Sequence, residues 1–203
     1  MKRLTALLSV IVLLASCEKS GTKKVYVLSE GTADINTNDR TITTKGRGHE
    51  EKEVLFYDDG KITLNVSSQA GKAEVALPDD GIYILNTKKD TIVGSFVNYA
   101  APKTEVKHLS DAELAAYVDS LQQIVSGNAK AGKTFYILPN QAVKITSNMD
   151  ATVITPYHQM TSIEYKKGQS PEVYRFYPIS ESRATLDKLK TMTGDKGDKP
   201  VND

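Results

Sequence analysis

The sequence predicts an α+β fold, a mainly antiparallel β-sheet with one central amphipathic helix and a short C-terminal helix. Short apolar segments rich in β-branched and aromatic residues recur between turns that contain Gly, Asn, Asp and Pro. One segment near the middle of the chain has helical periodicity instead. The turns are short and closely spaced, which does not suit the long crossovers of a doubly wound parallel sheet.

The predicted strands fall into two blocks, one on each side of the central helix. Asp58-Asp59-Gly60 and the stretch from Asn86 to Asp90 lie between strands and predict two hairpins, the first because Asp-Gly favours the positive φ of a tight turn. Residues 30–52 are polar and weakly patterned, so we expect a flexible loop there. The strands are predicted at residues 25–29, 54–57, 61–66, 73–77, 82–85, 91–97, 134–138, 142–146, 152–155, 162–166 and 172–177.

Residues 110–125 give the clearest helical signal in the chain. Ser110 and Glu113 have the spacing of a capping box, in which each side chain satisfies a free amide at the helix start. An apolar stripe recurs on one face, and we expect it to pack on the sheet; docking into a partner's groove is the alternative. Its members are Leu114, Val118, Leu121 and Val125. Residues 180–192 predict the short closing helix. Because the central helix joins two blocks of strands, two small lobes are an alternative to one body.

The first seventeen residues have the organisation of a secretory signal. Lys2 and Arg3 precede an apolar run at residues 4–15, and small residues then lead into Cys17. At about 1.5 Å per residue this run covers roughly 18 Å, short of the roughly 30 Å that a transmembrane helix must span. The segment resembles the bacterial lipobox. The resemblance implies that Cys17 is lipidated with a diacylglyceryl group and that the chain is cut just before it.

This interpretation divides the chain into four parts. Residues 1–16 are the signal peptide, residues 17–24 the lipidated cysteine and tether, residues 25–193 the globular domain, and residues 194–203 a disordered tail. It places the protein in the bacterial cell envelope, as an outer-membrane lipoprotein whose partner is the bilayer through Cys17. Lys19, Lys23 and Lys24 make the tether basic, and the absence of an acidic cluster favours a periplasm-facing orientation.

Cysteine usage and charge exclude several classes of function. Cys17 is the only cysteine, so lipidation leaves no thiol for a disulfide, a nucleophile or a metal ligand. Removal of Lys2 and Arg3 with the signal leaves 24 basic residues (26 − 2) against 25 acidic ones, a net charge near −1. Such a balance does not favour nucleic acid as a partner.

The stretch from Gly127 to Thr134 matches the P-loop pattern G-x-x-x-x-G-K-[ST]. A phosphate-binding loop follows a strand and opens a helix, whose N-terminal amides face the phosphates. Here the loop follows the predicted helix and leads into a strand. We therefore expect a helix cap and a turn, with no bound nucleotide.

Metal-binding patterns are incomplete. Asp34, Asn36 and Asn38 alternate like the start of a calcium loop, but Asp39 and Lys45 stand where an EF-hand needs Gly and Glu. A looser calcium site there is an alternative to an ordinary polar loop. The three histidines, His49, His108 and His158, lack zinc-ligand spacing. We expect no metal and no cofactor.

The sequence thus predicts a non-catalytic binding or assembly module with an envelope protein as partner. Capture of a small ligand or glycan, and an envelope hydrolase, are the alternatives. The expected binding face carries Tyr165, Tyr174 and Tyr177, because tyrosine is common on partly wet binding surfaces.

Overall fold

The computed structural model describes residues 21–97, 111–127, 134–157 and 171–194. Within these ranges the chain forms two β-sheets and two helices. The strands are β1 (Thr22–Asn36), β2 (Thr41–Tyr57), β3 (Ile62–Ser68), β4 (Gly71–Leu77), β5 (Gly81–Asn86), β6 (Ile92–Val97), β7 (Thr134–Ile137), β8 (Gln141–Thr146), β9 (Thr152–Ile154) and β10 (Val173–Pro178), and the helices are α1 (Asp111–Val125) and α2 (Ile179–Gly194).

The first sheet has the order β4-β3-β2-β1-β5-β8 and curls until its two outer strands meet. Asn140, just before β8, connects them: its Nδ2 donates to the Gly71 carbonyl oxygen at 3.2 Å, and its Oδ1 accepts from the Ser68 hydroxyl at 2.8 Å. We call this sheet the barrel. Alternate side chains point into its interior, as the period of two along a strand requires. The buried interior side chains are Val25, Val27, Ala33, Ile42, Phe56, Ile62, Leu64, Val66, Val75, Leu77, Tyr83 and Leu85.

The curl depends on a bend in the β1–β2 hairpin. The register shifts between Glu30 and Thr32, and Gly31 between them has φ +80°. A Cβ at this position would meet the Lys45 backbone, so the bend requires glycine. The bend brings the tip of the β1–β2 hairpin back toward the end of β2. There the Arg40 guanidinium pairs with the Asp58 carboxylate, and the Arg40 carbonyl oxygen accepts from the amide of Asn65 in β3.

The second sheet has the order β7-β6-β10-β9 and packs against the outer face of the barrel. The core between the sheets contains Leu28, Ile84, Ile92, Ile137, Ile145 and Phe176. On the opposite face of the second sheet, the Tyr136 hydroxyl donates to the Ile124 carbonyl oxygen of α1 at 3.1 Å. Helix α1 also packs against α2, which in turn contacts β10. The described residues therefore form three layers: barrel, second sheet and helices.

The predicted α+β class is confirmed, and the chain is mostly β-sheet with few helices. Among the described strands, five neighbouring pairs are antiparallel and three, β1–β5, β2–β3 and β9–β10, are parallel. The predicted strand at 162–166, Ser110 of the capping box and the segments at 1–20 and 195–203 lie outside the described residues. The predicted tether at 17–24 is wrong at its C-terminal end, because β1 begins at Thr22. The two sheets share one core, so they are layers of one body.

The prediction of a flexible loop over residues 30–52 is wrong, because β1 and β2 continue through that segment. Its inward positions include Ala33, Ile42 and Thr44, which are buried, while polar and threonine residues cover the outer side. Small and hydroxylated inward residues weaken the alternation that identifies a strand in sequence. Threonine nevertheless suits an extended strand because it is β-branched.

Both predicted hairpins are also wrong, although their strands exist. Strand β3 is antiparallel to β4 and pairs in parallel with the start of β2, so Asp58-Asp59-Gly60 does not form a hairpin turn. Strands β5 and β6 belong to different sheets. The connection from Asn86 to Asp90 therefore crosses from one layer to the next.

Candidate functional site

The connection between β5 and β6 is buried and tightly bonded. Asn86 is fully buried; its Nδ2 donates to the carbonyl oxygens of Asp90 at 2.8 Å and Ile137 at 2.9 Å, and its Oδ1 accepts from the Lys88 amide at 3.0 Å. Thr87 donates through both its amide and its hydroxyl to the Leu28 carbonyl oxygen. The backbone on either side of Lys88 is therefore held in one conformation.

Lys88 carries a buried amine at this junction. The residue is 4% exposed, and its Nζ has no hydrogen-bond acceptor among the described residues. The Nζ lies 4.0 Å from the centre of the Tyr157 ring, the geometry of a cation–π contact. Burial lowers the pKa of Lys88 below its ordinary value, against the opposing influence of four surrounding carboxylates. These belong to Glu51, Glu30, Asp90 and Glu181.

The Tyr157 ring contacts both this amine and an imidazole. The His49 ring stacks on the Tyr157 ring with centroids 4.2 Å apart and planes 10° from parallel. Burial raises the pKa of Tyr157, and the same four carboxylates add to this effect. His49 and Tyr157 remain exposed, Tyr157 by 44%.

Glu51 fixes the position of Tyr157. Its carboxylate accepts from the Tyr157 amide at 3.1 Å and from the Thr155 hydroxyl. Glu51 and His49 lie on the same side of β2, two residues apart, and Thr155 follows β9 directly. We call the group Lys88, Tyr157, His49, Glu51 and Thr155 the Lys88 site. It presents an exposed, preorganised ring surface with acidic surroundings, which suits binding.

The tyrosines predicted as the binding face do not form one surface in the described structure. Tyr165 lies outside the described residues. Tyr174 and Tyr177 are three residues apart in β10, so their side chains point to opposite faces. Tyr174 packs edge-on against Phe96 and Phe135 beside the core between the sheets, and its hydroxyl donates to the Glu172 carboxylate at 2.6 Å.

The sequence did not identify the Lys88 site. Asn86-Thr87-Lys88-Lys89-Asp90 has the composition of an exposed turn, and nothing in it indicates a buried amine. No local pattern around His49 predicts its stacking on Tyr157, because the contact joins residues more than a hundred positions apart. His108 and His158 lie outside the described residues.

The P-loop-like stretch has the chain order predicted for it. Helix α1 ends at Val125, Gly127 follows with φ +76°, and β7 begins at Thr134. The Gly127 amide donates to the Ile124 carbonyl oxygen at 3.1 Å, as expected for a glycine that terminates a helix. The phosphate-binding order of strand, loop and helix is thus reversed.

The calcium-like residues lie at the β1–β2 turn. The Asn36 Oδ1 accepts from the amides of Asn38 and Asp39, and its Nδ2 donates to the Asp39 carboxylate at 2.6 Å. These bonds are typical of a turn stabilised by an asparagine side chain. In the described ranges, no group of three or more His, Cys, Asp or Glu residues is arranged to hold a metal ion.

Comparison with protein-family models, curated proteins and solved structures finds no match for this chain. Neither of the two described helices has the length and apolar character needed to cross a bilayer.

Proposed function

We propose that this chain is a membrane-anchored envelope lipoprotein that acts as a non-catalytic binding or assembly module. The lipobox-like segment ending at Cys17 supports the anchor. The observation that carries the binding role is the stack of His49, Tyr157 and Lys88, because it holds exposed ring surface on a fixed base.

The position of the Lys88 site relative to the anchor supports this role. Strand β1 begins at Thr22, five residues after Cys17. It reaches the Lys88 site at Leu28, whose carbonyl oxygen accepts the bonds from Thr87. At about 3.3 Å per residue, these two points on β1 are roughly 20 Å apart. A module tethered at Cys17 therefore presents the Lys88 site on the side away from its anchor.

The chemistry of the site indicates the kind of partner. The exposed rings of His49 and Tyr157 offer apolar contact area, and Glu30, Asp90 and Glu181 surround them with negative charge. A protein segment that combines an arginine with an apolar side chain complements both features, since a guanidinium binds carboxylates in a bidentate manner. We therefore infer an envelope protein with such a segment as the partner.

Crosslinking in intact cells tests the binding role. A double variant, His49→Ala with Tyr157→Ala, removes the ring surface, and Leu138→Ala is the matched control because Leu138 is also exposed and near the same end of the barrel. We expect a recurrent envelope protein to crosslink to the wild type and the control, and its yield to fall about tenfold in the double variant. Equal yields from all three proteins would rule out the Lys88 site as the binding surface.

A separate measurement tests the anchor. Cys17→Ser removes the sulfur to which lipid would be attached, so the variant should lose palmitate labelling and leave the membrane fraction. Unchanged labelling and membrane association would contradict lipidation at Cys17. Circular dichroism of each variant establishes that the domain is folded before either result is interpreted.

A further inference from the structure

The end of the barrel nearest the predicted anchor exposes two large apolar side chains. Tyr57 is 68% exposed and Leu55 is 36% exposed, although most large apolar residues of the described barrel are buried. They are two residues apart in β2 and so lie on the same side of the strand. In the strand register, Tyr57 is opposite Thr22 and Leu55 is opposite Lys24.

We propose that Leu55 and Tyr57 form a bilayer-contact patch that seats the barrel on the membrane surface beside Cys17. This inference depends on the lipid anchor of the proposed function. Four residues, 18–21, separate Cys17 from Thr22, and an extended chain reaches at most about 3.6 Å per residue. Tyr57, directly opposite Thr22, is therefore held within roughly 25 Å of the lipid-bearing sulfur.

The chemistry of the patch suits the boundary between lipid headgroups and acyl chains. Tyrosine is enriched there because its ring prefers the apolar side and its hydroxyl stays hydrated. Leu55 adds apolar surface on the same side of β2. The patch is small, so it orients a protein that the lipid anchor already holds at the membrane.

Nearby charges are compatible with a zwitterionic membrane surface. The carboxylate of Asp58 pairs with Arg40, and that of Asp80 with the buried amine of Lys23 at 3.0 Å. The Asp59 carboxylate accepts from the Gly21 amide. These three carboxylates therefore have partners within the fold, which reduces their repulsion of phosphate headgroups.

Tryptophan fluorescence tests the patch directly, because the chain contains no tryptophan. In Tyr57→Trp, position 57 becomes the only indole, and Leu138→Trp is the matched control on an exposed residue at the other end of the barrel. Each lipidated protein is reconstituted into phosphatidylcholine vesicles with or without brominated acyl chains. We expect bromine to quench the indole at 57 at least about twofold more than the indole at 138, with a blue-shifted emission.

Two results would overturn the proposal. Equal quenching at the two positions would show that the barrel has no preferred seating. An indole at 57 that is shielded from aqueous acrylamide but not quenched by brominated lipid would show that a protein covers the patch. The lipidation of Cys17 is first determined by mass spectrometry. A chain without lipid contradicts the proposed anchor, whereas a lipidated chain without selective quenching contradicts only the patch.

Discussion

Two buried lysines at opposite ends of the barrel have different environments. Lys23 is 0% exposed, and its Nζ donates to the Asp58 carbonyl oxygen and to the Asp80 carboxylate, both at 3.0 Å. Lys88 is almost as buried, yet its Nζ has no hydrogen-bond acceptor among the described residues and lies over an aromatic ring instead. Burial is common to both, and the hydrogen-bond partners distinguish them.

The difference separates a structural lysine from a candidate functional one. Lys23 joins the start of β1 to the turns that follow β2 and β4, so its charge is satisfied by the fold. The Lys88 amine is desolvated and has no hydrogen-bond acceptor among the described residues, and burial of such a group lowers stability. A fold retains such a group at a cost, which supports the binding role that we propose for the Lys88 site.

The largest expected effect is at Lys23, whose amine has two hydrogen-bond acceptors. Lys23→Met keeps the length and apolar contacts of the side chain but leaves the Asp58 carbonyl oxygen without its donor. We expect the free energy of unfolding to fall by about 2 kcal/mol, since a hydrogen bond from a charged group contributes roughly 1.5–3 kcal/mol. Urea denaturation of the wild type and the variant measures this difference. A loss no larger than that of Lys88→Met would remove the distinction between the two residues.

The same substitution at Lys88 should change the free energy of unfolding less, or in the opposite direction. Lys88→Met removes the desolvated charge and retains a long side chain against the Tyr157 ring. The lost cation–π contact, about 1 kcal/mol, opposes the gain from removing the buried charge. We expect stability to stay within about 1 kcal/mol of the wild type or to increase. A destabilisation equal to that of Lys23→Met would indicate a structural role for Lys88.

The smallest expected effect is a pH dependence specific to Lys88. Its pKa is lowered in the folded protein, while the unfolded chain has the ordinary value of 10.5. Between these two pKa values the unfolded state binds more protons, so folding stability rises with pH. The difference in unfolding free energy between wild type and Lys88→Met should therefore shift in favour of the wild type as pH rises toward 10.5. Ionisation of the tyrosines other than Tyr157 affects both proteins alike and largely cancels. A difference independent of pH would show that Lys88 titrates normally.

The sequence predicted local structure better than pairing. Alternation in Ile62, Leu64 and Val66 identified a strand because each inward position is fully apolar. The same reasoning missed the β1–β2 hairpin, where some inward residues, such as Ala33 and Thr44, are small or hydroxylated and the bend at Gly31 interrupts the period. Strand partners depend on contacts distant in the chain, and no local pattern distinguishes a hairpin turn from a crossing between layers such as the one at Asn86.

The candidate site was the least predictable part of the molecule. Helix termination at Gly127 followed from the local pattern, because a left-handed glycine is a short-range feature. The stack of His49 on Tyr157 depends on β2 and the end of β9 meeting at the junction of the sheets. Its residues become neighbours only after the fold is complete.

The parallel pairing of β1 with β5 has a consequence for the order of folding. The β1–β2 hairpin joins neighbouring stretches of chain. The other edge of β1 is covered only when β5 pairs with it, for example Tyr83 with Val25, and β5 lies much later in the sequence. Contacts between distant residues form slowly because a long loop must first close. During folding, an early hairpin would therefore have an uncovered edge along Val25 and Val27, and this interval is when the chain is most prone to aggregate.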